Sequence, residues 1–370
     1  MTSVPTGFDA VLLLSFGGPD KPDDVRPFLE NVTRGRGVPP ERLDEVAQHY
    51  LHFGGVSPIN RLNLDLIDGL RSEFAGRGID LPVWFGNRNW HPMAEDTVEQ
   101  MYRAGHRRVL VFGTSAWGGY SGCRQYHEDI GRALSTVTTR LPEMADDPML
   151  LRKLPHFWSE PLFVEACADA VLRARKALPS SDTPPKLVFT AHSIPLAADH
   201  RGGPRGQGGD LYSRQVWAAS AAVSAAAGFG DDFDQVWQSR SGPPQVPWLE
   251  PDICDHLETL AEQGVRQVIV APVGFVSDHL EVVWDLDNEA KDKAAELGMD
   301  FVRADTAGTD PRFVQLVVDL IERYRDGDIP RGGFAIDPPL GCADNGSPCR
   351  PQCCEPTPRR APAAPEPSAP

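Results

Sequence analysis

The sequence predicts an α/β protein in which two similar doubly wound lobes, each built on a four-stranded parallel sheet, enclose a cleft. Eight short runs rich in Val, Leu, Ile and Phe alternate with longer amphipathic segments. Runs that stay apolar throughout are typical of parallel strands covered by helices on both faces. The runs fall into two sets of four, which indicates two lobes. Because ligands of such folds bind beyond the carboxyl ends of the strands, the loops after the strands are the candidate site.

Each element has its own signal in the pattern. Strands of the first lobe are expected near 9–16, 81–86, 108–113 and 149–154, and those of the second near 186–191, 234–239, 265–272 and 299–303. Helices are expected at the amphipathic segments 61–75, 94–104, 160–177, 210–227, 250–263 and 281–297. The predicted organisation is a first lobe, a second lobe, a C-terminal helix and a tail rich in Cys and Pro, at 1–160, 161–305, 306–332 and 333–370.

Composition excludes several classes of function. The 370 residues include 52 acidic and 36 basic side chains, giving a net charge of −16, which repels nucleic acid and anionic lipid. No strand is followed by the glycine pattern of a dinucleotide site or of a phosphate-binding loop. We also find no signal peptide and no apolar run of the roughly 18 residues that a membrane span needs, so we expect a cytoplasmic protein without a transmembrane segment.

The tetrapeptide Asp-His-Leu-Glu occurs twice, at 255–258 and at 278–281. The first copy lies inside the predicted helix 250–263, where His256 and Glu258 are expected on the solvated face. The second copy directly follows a predicted strand, at the position where such folds build their sites. His279 and Glu281 are therefore candidate functional residues.

Further candidate residues lie near the same predicted cleft. Glu281, Asp285 and Glu289 are spaced four residues apart on a predicted helix, so they form a carboxylate stripe that is either a solvated face or a path for a divalent cation. His192 follows the predicted strand 186–191, and imidazole is a base near neutral pH and a ligand for ferrous iron.

Cysteines are concentrated near the C-terminus. Four of the seven lie at positions 342, 349, 353 and 354, in the pattern C-x6-C-x3-C-C. Thiolates at such spacing suit a zinc ion or an iron–sulfur cluster. Free thiols in an unstructured tail are the third interpretation.

Several segments together resemble the ferrochelatase family, in order through about residues 8–325. They are LLLSFGGPDKPDDV, ENVTRGRGVP, HYLHFGGVSPIN, FTAHSIP, WQSRSGPPQVPWLEPD and PVGFVSDHLEVVWDLDNE. The set looks most similar to the actinobacterial branch, whose members make coproheme from coproporphyrin III. The resemblance implies two Rossmann-like lobes of the chelatase type, with a C-terminal helix that packs back on the first lobe.

The resemblance also implies substrates and site residues. It makes this chain an enzyme that inserts Fe2+ into coproporphyrin III, with protoporphyrin IX as the alternative substrate. A corrinoid-precursor chelatase and a non-enzymatic heme or porphyrin carrier are the other classes. His192 and Glu281 match the family's metal-handling residues, with the base and the metal carrier unassigned between them. Residues that match its porphyrin-contacting positions are Phe16, Arg34, His49, Tyr50, Ser57 and Tyr126. Some members place at position 16 a Tyr that ligates the product iron, which Phe16 cannot do.

Finally, the resemblance implies a cofactor. Several ferrochelatases, actinobacterial ones included, hold a 2Fe-2S cluster with three tail cysteines and one cysteine of the body. The ligands expected on this basis are Cys167, Cys342, Cys349 and Cys354. Cys353 is the alternative to Cys354, and Cys123 is the alternative to Cys167.

Overall fold

The protein contains two parallel four-stranded sheets, one in each lobe. The computed structural model describes residues 7–35, 37–204, 208–242, 244–308, 310–325 and 353–354. In the first sheet the order is β2-β1-β3-β4, with β1 (Ala10–Ser15), β2 (Val83–Asn87), β3 (Arg108–Gly113) and β4 (Leu150–Lys153). In the second sheet the order is β6-β5-β7-β8, with β5 (Lys186–His192), β6 (Phe233–Gln238), β7 (Gln267–Ala271) and β8 (Asp300–Arg303). The predicted fold class is therefore confirmed.

Helices cover both sheets. In the first lobe they are α1 (Val25–Val32), α2 (Pro40–His52), α3 (Pro58–Arg77), α4 (Ala94–Arg103) and α5 (Gln125–Arg140). The second lobe has α6 (Pro161–Ala177), α7 (Leu196–Asp199), α8 (Leu211–Ala226), α9 (Ile253–Glu262), α10 (Leu280–Val282) and α11 (Lys291–Glu296), and α12 (Pro311–Arg325) follows β8. None of the helices in the described part of the chain is both long and apolar enough to cross a membrane.

One predicted helix, 281–297, differs from expectation. The segment begins as α10 and ends as α11, but its middle, Val283–Ala290, is π-helical. A π-helix pairs each residue with the fifth one along and frequently occurs at functional sites. The segment that carries the three predicted carboxylates therefore departs from regular α-helical geometry.

A continuous apolar core joins the two lobes. It includes Leu13 of β1 and Phe189 of β5, both fully buried. Phe313 of α12 packs against Phe112 and Phe157, with ring centroids 6.2 and 5.5 Å apart. Burying such side chains contributes about 1.5–3 kcal/mol each, so the contact holds α12 firmly against the sheet of the first lobe. The sheets thus keep a fixed relation, and the carboxyl ends of their strands define the cleft.

Candidate active site

His192 is the last residue of β5, and its imidazole is held in one orientation. Nδ1 lies 2.5 Å from the backbone carbonyl oxygen of Ser193. A carbonyl oxygen only accepts hydrogen bonds, so Nδ1 carries the proton and, in the neutral ring, Nε2 carries the lone pair. The Tyr212 hydroxyl donates to the His192 backbone carbonyl at 3.0 Å. These contacts fix the side chain and the backbone of the same residue.

Glu281 faces the free nitrogen of this histidine. Its Oε2 atom lies 3.6 Å from His192 Nε2, and the two side chains are 39% and 35% exposed. Glu281 lies on α10, just after β7, and β7 pairs with β5, so the two strand ends meet at one edge. A divalent cation with ligand bonds of about 2.0–2.2 Å fits between two atoms at this separation. The predicted pair is thus brought together, open to the cleft.

Asp285 lies behind Glu281 and is buried. It accepts hydrogen bonds from Gln238 Nε2, at 3.1 Å, and from the Ser239 hydroxyl. Burial, reinforced by the charge of Glu281, raises the pKa of Asp285 to about 8. Glu289 is exposed and Glu281 half-buried, so with Asp285 buried between them the three carboxylates are not a solvated helix face.

His279 is half-buried and directly precedes α10. Its ring meets the Phe275 ring edge-on, with centroids 5.3 Å apart. Burial lowers the pKa of His279, although the nearby Glu281 carboxylate acts against this shift. His279 therefore lies close enough to Glu281 and His192 for their charges to affect its protonation.

The first lobe contributes aromatic and histidine side chains to the opposite wall. The His49 ring stacks on Trp284 of the π-helix, with centroids 3.9 Å apart and an interplanar angle of 5°. Burial lowers the pKa of His49. Tyr50 lies close enough to Glu281 that this charge, after burial, raises the pKa of its phenol. Trp284 is a functional candidate that the sequence did not indicate. Only its stacking contact with His49 of the other lobe identifies it, and that contact depends on the assembled fold.

The remaining porphyrin candidates have different environments. Phe16 follows β1 and is 39% exposed, whereas Arg34 is exposed beyond the end of α1. Ser57 is buried at the start of α3. Tyr126 is buried beneath Arg88, whose guanidinium carbon lies 4.5 Å from the ring centroid.

Two of the tail cysteines lie within the described residues, and both are buried. Cys354 Sγ accepts a hydrogen bond from the Gly203 amide at 3.2 Å, and Cys353 Sγ lies 3.6 Å from Cys354 Sγ. Cys342 and Cys349 lie outside the described residues. In the part that the structure describes, no group of three or more His, Cys, Asp and Glu side chains is arranged to hold a metal ion.

The two candidate body cysteines lie in different surroundings. Cys123 is buried on the π-helical turn Tyr120–Arg124, and the charge of Cys354 contributes to its raised pKa after burial. Cys167 is buried on α6, and burial, followed by the charge of Asp310, raises its pKa to about 12.

Fold and site together define a two-lobed α/β protein in which a histidine and a carboxylate meet at the carboxyl ends of neighbouring strands. The ferrochelatase family model matches residues 8–325, and the chain belongs to this family of metal chelatases, which are lyases.

Named relatives agree with the family. Coproporphyrin III ferrochelatase of Nocardia farcinica is 62% identical over 357 residues, covering 96% of this chain and 98% of that protein. The protein of the same name from Mycolicibacterium smegmatis is 58% identical over 349 residues, covering 94% and 99%. Among solved structures, SirB from Bacillus subtilis with Fe3+ aligns with 86% of this chain and 96% of that chain, at 11% identity and a TM-score of 0.49.

Proposed function

We propose that this protein inserts Fe2+ into coproporphyrin III and forms coproheme in heme biosynthesis. The observation that carries the proposal is the distance of 3.6 Å between His192 Nε2 and Glu281 Oε2 at the cleft. Support also comes from the relatives at 62% and 58% identity, both named coproporphyrin III ferrochelatase.

The pair suits the chemistry of metal insertion. Two pyrrole N–H bonds break as one Fe2+ binds to the four ring nitrogens, so two protons must leave for every iron that enters. The lone pair of His192 Nε2 and the carboxylate of Glu281 are two basic atoms on one side of the cleft, and both bind divalent iron. The hydrogen bond from Nδ1 to Ser193 keeps Nε2 directed to the metal or proton. We propose that the two side chains together deliver iron and accept protons.

The carboxylates beyond the pair form the proposed entry path for iron. Glu289 is exposed, Asp285 is buried and Glu281 faces the cleft, so oxygen ligands extend from the surface to His192. Because Asp285 holds its proton at neutral pH, the buried part of the path avoids an uncompensated second charge. His279 lies beside Glu281 and belongs to the same path.

The wall of the first lobe is proposed to bind the porphyrin. Phe16 offers an exposed apolar face, and His49 and Tyr50 lie opposite the carboxylates. Arg34, His49 and Ser57 are the proposed partners of the propionates, and Tyr126 is a further proposed porphyrin contact by family resemblance. Coproporphyrin III carries four propionates and protoporphyrin IX carries two, so polar partners favour the former. Phe16 has no ligand atom, and an axial bond to the product iron from this position is absent.

The test is an absorbance assay with Fe2+ and each porphyrin in turn, under anaerobic conditions. We expect repeated turnover and a higher kcat/KM for coproporphyrin III. A preference for protoporphyrin IX would overturn the choice of substrate. Stoichiometric binding without turnover would overturn the enzyme and favour a carrier.

We further propose that the tail holds a 2Fe-2S cluster, with Cys342, Cys349 and Cys354 as three of its ligands. Such clusters are bound by thiolates, and hydrogen bonds to the sulfurs tune them. Cys354 fits this role, because its buried sulfur already accepts an amide hydrogen bond from Gly203. When bound, the cluster supplies a redox-active centre that ties the tail to the body.

The body ligand of the cluster is proposed to be one of two cysteines. Cys167, the family-based expectation, is buried close to Asp310, a charge that opposes a thiolate, and to Arg312, a charge that favours one. Cys123 lies close to Cys354 and to the buried ammonium of Lys153, a charge that favours a thiolate. The proximity of Cys123 to the tail residue Cys354 therefore supports Cys123 more than Cys167.

Matched serine variants separate the alternatives. We expect anaerobically purified protein to contain two irons and two acid-labile sulfides per chain, with visible absorption that Cys342→Ser and Cys349→Ser abolish. Cys123→Ser should also abolish it, while Cys167→Ser should not. The reverse result would establish Cys167 as the ligand. Zinc without sulfide would replace the cluster by a zinc site, and protein without metal would leave free thiols.

A further inference from the structure

The buried hydroxyl of Tyr212 lies directly behind the histidine of the candidate active site. Tyr212 is the second residue of α8, and its hydroxyl donates to the backbone carbonyl of His192 at 3.0 Å. Burial raises the pKa of this phenol, so the group stays protonated and remains a donor. The hydroxyl therefore fixes the end of β5 from which the imidazole projects.

The Tyr212 ring lies where the two lobes meet. It packs between Trp237 of β6, with centroids 5.7 Å apart, and Trp117, with centroids 6.4 Å apart. Trp117 follows β3 in the first lobe, and its indole N–H donates to the Gly274 carbonyl of the second lobe at 2.8 Å. The start of α8 is thus clamped by both lobes.

The tail cysteines contact the residue that precedes Tyr212. Leu211 is buried in a small apolar cluster with Cys353 and Cys354. The Cys354 sulfur accepts the Gly203 amide hydrogen of the second lobe, and the Cys353 carbonyl accepts from the Arg124 guanidinium of the first lobe at 3.1 Å. The Cys353–Cys354 turn therefore bridges the lobes and packs on the first residue of α8.

We propose that Tyr212 is a positioning residue for His192, and that the Cys353–Cys354 turn, through Leu211, holds the start of α8 in the place from which Tyr212 acts. The tail then influences metal insertion through packed side chains rather than by touching either substrate. This inference rests on the proposed function of the His192–Glu281 pair.

The first test is Tyr212→Phe in the full-length protein, which keeps the ring and removes only the hydroxyl. Small misplacements of a catalytic group are costly, so we expect kcat to fall about tenfold. The KM for porphyrin should change less than about twofold, because the side chains proposed to bind porphyrin lie in the first lobe and do not include Tyr212. Tyr102→Phe is the control, since Tyr102 is equally buried but lies in the first lobe among the residues of a separate apolar cluster.

The second test is a double-mutant cycle with Leu211→Ala. We expect Leu211→Ala alone to lower kcat with KM retained, and its effect to disappear in the Tyr212→Phe background, because both changes act on the same hydrogen bond. Leu211→Met, which keeps most of the contact, should retain activity and guards against a folding defect in the alanine variant.

The outcomes distinguish this inference from the proposed function. If the wild-type protein inserts no iron, the proposed function itself fails. If the wild type turns over while Tyr212→Phe keeps its kcat, or loses porphyrin affinity as much as kcat, the positioning role of Tyr212 is wrong. Independent, additive effects in the cycle would overturn the connection from the tail.

Discussion

The two copies of Asp-His-Leu-Glu, at 255–258 and 278–281, lie in the same lobe and differ in every polar contact. Only their leucines behave alike, because Leu257 and Leu280 are both buried. The first copy lies within α9, on the amino-terminal side of β7, and the second follows β7 on its carboxyl side. Identical side chains therefore serve as structural groups at one end of a strand and line the cleft at the other.

In the first copy, the histidine and the glutamate each contact a side chain of opposite charge type. His256 Nε2 lies 2.8 Å from Asp234 Oδ2, and Glu258 lies 2.9 Å from Lys293 Nζ. The prediction that His256 is a solvated surface residue is wrong, because its ring is half-buried in contact with Asp234 of β6.

In the second copy, the glutamate faces the candidate active site and the aspartate forms a salt bridge that fixes the loop. Glu281 faces His192, while both Asp278 oxygens accept hydrogen bonds from Arg303, at 3.0 and 3.1 Å. The comparison shows that a carboxylate near a strand end is a functional candidate when it faces a histidine, as Glu281 does, rather than a lysine, as Glu258 does.

The largest expected difference between the two regions concerns their histidine partners. We expect His192→Ala to lower iron insertion by about 100-fold or more, because the variant loses the proposed proton acceptor or iron ligand. His256→Ala should retain turnover near that of the wild type, since its ring only pairs with Asp234. Steady-state absorbance assays measure both. Residual activity of His192→Ala above about a tenth of wild type would contradict the assignment.

A second comparison replaces the glutamate of each copy by glutamine. Glu281→Gln should lower kcat by about 10- to 100-fold, because the amide keeps the shape but neither accepts a proton nor binds iron well. Glu258→Gln removes only the contact to Lys293 and should leave kcat unchanged. Equal losses from the two variants would show that position relative to the strand end does not decide function here.

Much of this contrast could be predicted from the sequence. The central strands β1, β3, β5 and β7 are buried along nearly their whole length, so their apolar runs were readable in the sequence. The residues after β5 and β7 then followed from parallel topology. The pairing of His192 with Glu281 was therefore foreseeable as a meeting of neighbouring strand ends.

The rest depends on contacts between distant segments. Nothing local in the sequence marks the π-helical segment or the burial of Asp285 within it, because an acidic residue every fourth position is equally typical of a solvated α-helix. Likewise, the stacking of His49 on Trp284 joins α2 to the second lobe, and only the assembled lobes show it. The hydrogen bond between Gly203 and Cys354 joins segments about 150 residues apart, and residue spacing in the sequence cannot predict such a contact.

Asp285 sharpens the comparison through the pH dependence of stability. The folded protein keeps the Asp285 proton up to about pH 8, whereas the unfolded chain loses it near the ordinary value of 3.8. Between these values the unfolded state binds fewer protons, so the stability contribution falls as the pH rises. Asp285→Asn, which cannot ionise, should match wild type near pH 4 and exceed it by about 2 kcal/mol at pH 8.

The control for Asp285 is Glu262→Gln. Glu262 follows Glu258 by four residues, as Asp285 follows Glu281, but it is exposed. Denaturant titrations at several pH values should show no pH-dependent gain for this variant. A wild-type advantage over Asp285→Asn at pH 8 would mean that the aspartate is ionised in the folded protein.

The smallest expected difference separates the two aspartates. Asp278 and Asp287 share the half-buried guanidinium of Arg303, with Arg303 Nε 2.7 Å from Asp287. Asp278→Asn removes one charge from this network but leaves the other, so we expect a loss of about 1–2 kcal/mol in the free energy of unfolding. Asp255, its counterpart, is exposed in the first turn of α9. Asp255→Asn should therefore change stability by less than about 0.5 kcal/mol.

Because Asp278 also anchors the loop that carries Glu281, kcat should fall with Asp278→Asn and not with Asp255→Asn. Urea titration and turnover on the same preparations measure both quantities. A stability loss without any change in kcat would show that Arg303 supports the fold but does not position Glu281.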